Sequence, residues 1–128
     1  MARRLPQPTP GELAILRVLW ARGASTVRDV HEALADSRDT GYTTTRKLMQ
    51  IMAAKGLVGR DDSARTHVYT ARQSEDRTRG QLVKDLIERA FGGSAAALVM
   101  QALAAQPASA EELKDIRRAI AEHTKSKP

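Results

Sequence analysis

The chain contains no cysteine, which excludes a disulfide framework and any thiolate metal or redox site. Aromatic residues make up only 3% of it, so a core must be built from Leu, Val, Ile, Met and Ala. Such side chains suit helix packing better than a β-sandwich. No apolar run approaches the roughly 18 residues that a membrane span requires. The segment Met1-Ala2-Arg3-Arg4-Leu5-Pro6 has two arginines but no apolar stretch behind them, so it does not read as a secretory signal. A soluble cytoplasmic protein without direct membrane binding is expected. There is no phosphate-binding glycine loop and no paired-histidine metal spacing. His31, His67 and His123 fall on three separate elements. No catalytic residue, no metal site and no cofactor is therefore expected, and the chain does not read as an enzyme.

What is present is basic charge, unevenly placed. The net charge is +6 over 128 residues. Residues 1–72 hold twelve Lys/Arg against seven Asp/Glu, a balance of +5, whereas residues 73–128 hold nine against eight, a balance of +1. Concentrated positive charge favours polyanions through Coulomb attraction and counterion release.

Start and stop signals divide the chain into six helices and one hairpin. Thr9-Pro10-Gly11-Glu12 is a capping box with proline at the first helical position, and Gly23 ends that helix. A second helix starts at Ser25-Thr26, with Asp29 three residues after Thr26, and runs to about Asp36. A third, capped by Thr43, runs to Lys55 and stops at Gly56 in a left-handed turn. Its inward face is Thr45, Leu48, Met49 and Met52, and its outward face Thr44, Arg46, Lys47, Gln50 and Ile51. The strand-like runs 57–60 and 66–70 flank a polar turn. Helices follow from Ser74 to about Phe91, from Ser94 to about Ala105, and from the second capping box Ser109-Ala110-Glu111-Glu112, with fraying expected from Lys125 on.

Three helices followed by a hairpin is the chain order of a winged helix. The expected fold is mainly α: an N-terminal winged helix of three helices and a two- to three-stranded β wing (1–72), followed by a three-helix dimerisation region (73–128). In such a module the third helix enters the DNA major groove, which is about 12 Å wide. Thr43, Thr44, Arg46, Lys47 and Gln50 are then the base-reading candidates. Lys55, Arg60, Arg65 and His67 are the phosphate or wing candidates. A winged helix that binds a protein rather than DNA remains the alternative.

The helix from Ser94 is apolar nearly all round, so it must be buried on every side. Helices four to six offer too little material to surround it, and a second copy of the tail would supply the rest as a homodimer. The alternative is a tail folded back on its own head. Leu82, Leu86, Phe91, Leu98, Val99, Leu103 and Ile116 are the candidate dimer core.

Taken in order, Thr9-Pro10-Gly11-Glu12, Ile15-Leu16-Arg17-Val18-Leu19-Trp20, Thr26-Val27-Arg28-Asp29-Val30, Gly41-Tyr42-Thr43-Thr44-Thr45, Lys55-Gly56-Leu57-Val58, His67-Val68-Tyr69, Phe91-Gly92-Gly93-Ser94, Ala97-Leu98-Val99 and Ser109-Ala110-Glu111-Glu112-Leu113 resemble the penicillinase-repressor family. The resemblance covers nearly the whole chain. It implies a homodimer that binds an inverted-repeat (palindromic) DNA operator and blocks transcription. It also implies relief of repression by cleavage in the tail, triggered by a membrane sensor protease. In the antibiotic-resistance members that cut falls between Asn and Phe. Here the matching stretch reads Met100-Gln101-Ala102-Leu103, so Gln101-Ala102 marks the place without the cleavable pair. The cysteine-rich metal hook of the copper-responsive branch is excluded by composition.

Overall fold

The computed structural model describes residues 7–126, so the reading of Met1–Pro6 lies outside the described residues. The element order is α1 (Pro10–Arg22), α2 (Val27–Leu34), α3 (Tyr42–Lys55), β1 (Val58–Asp61), β2 (Val68–Ala71), α4 (Glu75–Ala90), α5 (Ala95–Ala105) and α6 (Ala110–Ser126). The chain divides into two compact units between Leu82 and Val83. About the first two turns of α4 thus belong to the first unit.

Helix starts follow the capping chemistry. Thr9 and Glu12 form a reciprocal box at α1, and Thr26 and Asp29 another at α2. The Asp29 carboxyl is held below its ordinary range, first by the Thr26 backbone N–H that it accepts. The expected cap at α3 is corrected. Thr43 is the second helical residue, and the N-cap is Gly41, which has no side chain to offer. The helix starts early because the Tyr42 ring packs against α2, against Arg28 and His31, which fixes the chain entry two residues upstream. The Thr45 hydroxyl turns back to donate to the Gly41 carbonyl at 3.2 Å. At the other end Gly56 takes φ 86°, a left-handed conformation that favours glycine. The Leu57 N–H then donates to the Met52 carbonyl at 2.9 Å, the six-to-one bond of a Schellman stop.

The wing is a two-stranded antiparallel hairpin in the register Val58↔Ala71, Gly59↔Thr70, Arg60↔Tyr69 and Asp61↔Val68. A further bridge joins Ser25 to Tyr69, through bonds of 3.0 and 2.8 Å. The core beneath takes Ile15, Leu16 and Leu19 from α1, Val27, Val30 and Leu34 from α2, and Met49 and Met52 from α3. Leu57, Val58 and Tyr69 close it from the wing. Thr45, Met49 and Met52 are buried and Leu48 is half-buried, as the inward face of α3 required. Where β2 leads into α4, the Trp20 indole N–H donates to the Gln73 carbonyl at 2.9 Å.

The second unit is built differently. Gly93, at φ 86°, turns the chain between α4 and α5, and its N–H donates to the Ile87 carbonyl at 2.9 Å. Ser94 caps α5 and a Ser109–Glu112 box caps α6. Lys125 and Ser126 are still helical, contrary to the fraying expected there, since no breaker precedes Pro128. Lys127 and Pro128 lie outside the described residues. None of the apolar side chains described in this unit is buried. Val99 is 44% exposed and Met100 69%, while Phe91, Leu98, Leu103 and Ile116 are half-buried.

Candidate nucleic-acid interface

An open groove of about 500 Å³ runs between α3 and the wing. The structure gathers Arg46 and Gln50 from α3 with Arg65 and His67 from the hairpin turn around it. Helical geometry explains the α3 side. Thr43, Arg46 and Gln50 recur at i, i+3 and i+7, one row on the face opposite Thr45, Met49 and Met52. Thr44 and Lys47 continue the same exposed face further round. The short threonine side chains stand in the first turn, where they leave room for close approach.

Ion pairing separates the candidate cations into two kinds. Among the described residues Arg46, Lys47 and Arg65 form no ion pair, so their charges are available to a polyanion. Lys55 is otherwise engaged. Its ammonium donates to both Glu12 carboxylate oxygens, at 3.0 and 2.9 Å, and so ties the end of α3 to the start of α1. Glu12 is only 1% exposed. Burial by itself would push its carboxyl up. The hydrogen bond from Lys55, the Thr9 backbone N–H and the Lys55 charge together outweigh this, and hold it below the ordinary value of 4.5. The Lys55 charge is thus shared with a buried carboxylate.

Arg60 is also held. The Tyr69 and Asp62 side chains raise its guanidinium above its ordinary value, and Asp62 pairs with it at 2.8 Å. Asp62 stands 3.6 Å from His67 Nδ1 as well. At the hairpin turn the Ser63 N–H donates to Asp61 at 2.9 Å, and the Ser63 contacts lower the Asp61 carboxyl. The wing is thus braced by its own acids, leaving Arg65 as its unpaired cation.

Two groove residues are not evident from the sequence. Arg28, on α2, and Tyr42, the first residue of α3, line the same space. The Arg28 guanidinium carbon sits 5.5 Å from the Tyr42 ring centroid. The His31 ring meets Tyr42 edge-on, at 5.8 Å and 83°. Fourteen residues of sequence separate Arg28 from Tyr42, and no local pattern connects them.

Elsewhere, among the described residues, no group of three or more His, Cys, Asp or Glu side chains could hold a metal ion. No helix there is long and apolar enough to cross a membrane.

The profile of the penicillinase repressor family matches residues 8–122. Over 114 residues the chain is 37% identical to the transcriptional regulator BlaI of Mycobacterium tuberculosis, in strains CDC 1551 / Oshkosh and ATCC 25618 / H37Rv. That alignment covers 87% of this chain and 80% of the relative. Among solved structures, the DNA-binding domain of the repressor BlaI matches with a TM-score of 0.51 and 22% identity, over 58% of this chain and 90% of that one. The Bacillus licheniformis BlaI monomer in complex with the blaP half-operator matches with a TM-score of 0.51 and 21% identity, over 59% of this chain and 92% of that one. At such identities the likeness speaks to fold, and it supports the winged-helix architecture of the first unit.

Proposed function

The chain belongs to the penicillinase repressor family, and on that premise we propose that it represses transcription as a homodimer bound to an inverted-repeat operator. The observation that carries the reading is the groove in which unpaired Arg46 and Gln50 on α3 face unpaired Arg65 on the wing. Arg46 and Lys47 read bases, where arginine can meet guanine bidentately and lysine can reach the same edge. Thr43 and Thr44 approach the bases closely, and Gln50 suits adenine. Arg65 and His67 lie along the backbone, supplying affinity without choosing sequence. Arg60 shapes the wing, and Lys55 locks α3 onto α1.

The tail supplies the second copy. Leu86, Val99, Met100 and Ile120 are exposed in the single chain, an apolar surface that water disfavours and a two-fold partner would cover. Leu82, Phe91, Leu98, Leu103 and Ile116 complete that interface. Residues 1–72 serve DNA binding and residues 73–128 dimerisation. Opening of the tail relieves repression, either through a sensor protease or through another disruption of α5. Gln101 and Ala102 are exposed but lie inside α5, so cleavage there requires local unwinding first.

Selection of binding sites from a random duplex pool by the purified protein tests this. Enrichment of an inverted repeat, with half-sites about one helical turn apart, is the expected result. Failure to enrich any sequence, or a protein that sediments as a monomer at micromolar concentration, would overturn it.

A further inference from the structure

We infer that Arg28 is a phosphate contact, and that Tyr42 is the positioning residue that aims it. This rests on the DNA-binding reading above and deepens it. The candidates legible in the sequence all lie on α3 and the wing, whereas Arg28 belongs to α2.

Three observations carry the inference. Arg28 lines the groove together with Arg46 and Arg65, and so adds a third side to a ring of unpaired guanidinium groups. Among the described residues it forms no ion pair, in contrast to Arg22, Lys55 and Arg60, which are each held by a carboxylate. Its guanidinium also lies against the Tyr42 ring, which His31 braces edge-on. A tyrosine that is 41% exposed, on a surface with so few aromatics, gains little from burial at that place. Its ring does restrict an otherwise mobile arginine. Arginine stacks on aromatic faces while leaving its N–H groups free for the planar, bidentate hydrogen bonding that phosphate accepts. Fixing the guanidinium before binding removes part of the ordering cost at the moment of contact. The position beside the first turn of α3 puts the charge where the duplex backbone must pass if that turn enters the major groove.

The test measures how affinity for duplex DNA depends on salt. Each phosphate neutralised adds about 0.9 to the slope of log affinity against log salt. With a mixed-sequence duplex of about 30 base pairs, three helical turns, Arg28→Ala should lower that slope by roughly one per head. Arg17→Ala removes the same charge from α1, away from this groove, and should leave the slope unchanged. Tyr42→Phe keeps the ring and should bind like the parent. Tyr42→Leu removes the platform and should weaken binding several-fold, in the same direction as Arg28→Ala but less. Circular dichroism of each variant confirms that it is folded.

An Arg28→Ala slope equal to the parent's overturns the inference while leaving the DNA-binding reading in place. Equal losses for Tyr42→Phe and Tyr42→Leu overturn the role of the ring. A parent protein with no salt-dependent duplex binding overturns the reading on which both rest.

Discussion

Removing the Lys55 ammonium by Lys55→Ala tests whether this residue serves the scaffold or the DNA. The Glu12 carboxylate is buried and accepts from Lys55 at 2.9 and 3.0 Å and from the Thr9 N–H at 2.9 Å. Breaking a fully buried pair costs about 3–5 kcal/mol. Here the lysine side chain is 37% exposed, and water already screens part of the attraction. The capping bond from Thr9 also remains, so we expect a loss of about 2 kcal/mol at pH 7. The pH dependence is the sharper signature. In the parent, Glu12 is held below its ordinary 4.5, so the unfolded chain takes up the proton first as the solution is acidified. Stability from this group is present above about pH 4.5 and falls as the pH drops through the lowered value. In Lys55→Ala, burial is no longer countered by the ammonium, and protonation relieves a penalty instead. The gap between parent and variant should therefore narrow as the pH falls toward 4. Urea unfolding followed by circular dichroism, repeated across pH 4 to 7, measures it. A gap of the same size at every pH, or one below about 0.5 kcal/mol at pH 7, refutes the reasoning.

Other outcomes follow from features on the same surface and in the tail. Thr26→Ala removes the acceptor of the Asp29 N–H at 3.1 Å and should cost about 1 kcal/mol in thermal unfolding; no change would mean that α2 does not depend on its cap. Arg46→Ala and Lys47→Ala should each flatten preference among operator variants by about 1–3 kcal/mol in competition mobility shifts, whereas Arg65→Ala should weaken all duplexes alike. If all three behave identically, the division between base reading and backbone contact is wrong. Val99→Asp places a charge on the exposed face of α5 and should weaken self-association by on the order of 3 kcal/mol, moving the sedimentation profile toward monomer. An unchanged profile would take α5 out of the interface.

Much of this architecture is visible in the residues because its signals are local. The Thr9–Glu12, Thr26–Asp29 and Ser109–Glu112 boxes each close within one helical turn, and Gly56 needs only its own lack of a Cβ to stop α3. The inward row Thr45, Leu48, Met49 and Met52 follows from period alone. Other features depend on residues distant in sequence. Glu12 already has a visible role as the closing residue of a capping box, and nothing nearby shows that Lys55, 43 positions later, takes its carboxylate. Arg60 looks like any wing arginine until the register places Tyr69 opposite it. The start of α3 is hidden for the same reason, because the packing of Tyr42 on α2 outweighs the preference of Thr43 for a cap. The outward face of α3 was legible as a surface, and the groove it shares with Arg28 was not.

The bond from Trp20 to the Gln73 carbonyl gives the chain an optical property. Trp20 is its single tryptophan, so all indole emission comes from the spot where β2 hands over to α4. A half-buried indole with its N–H engaged changes colour and brightness when that bond opens and water enters. The native protein thus carries its own label at the joint, and a rearrangement there can be followed in real time without attaching a dye.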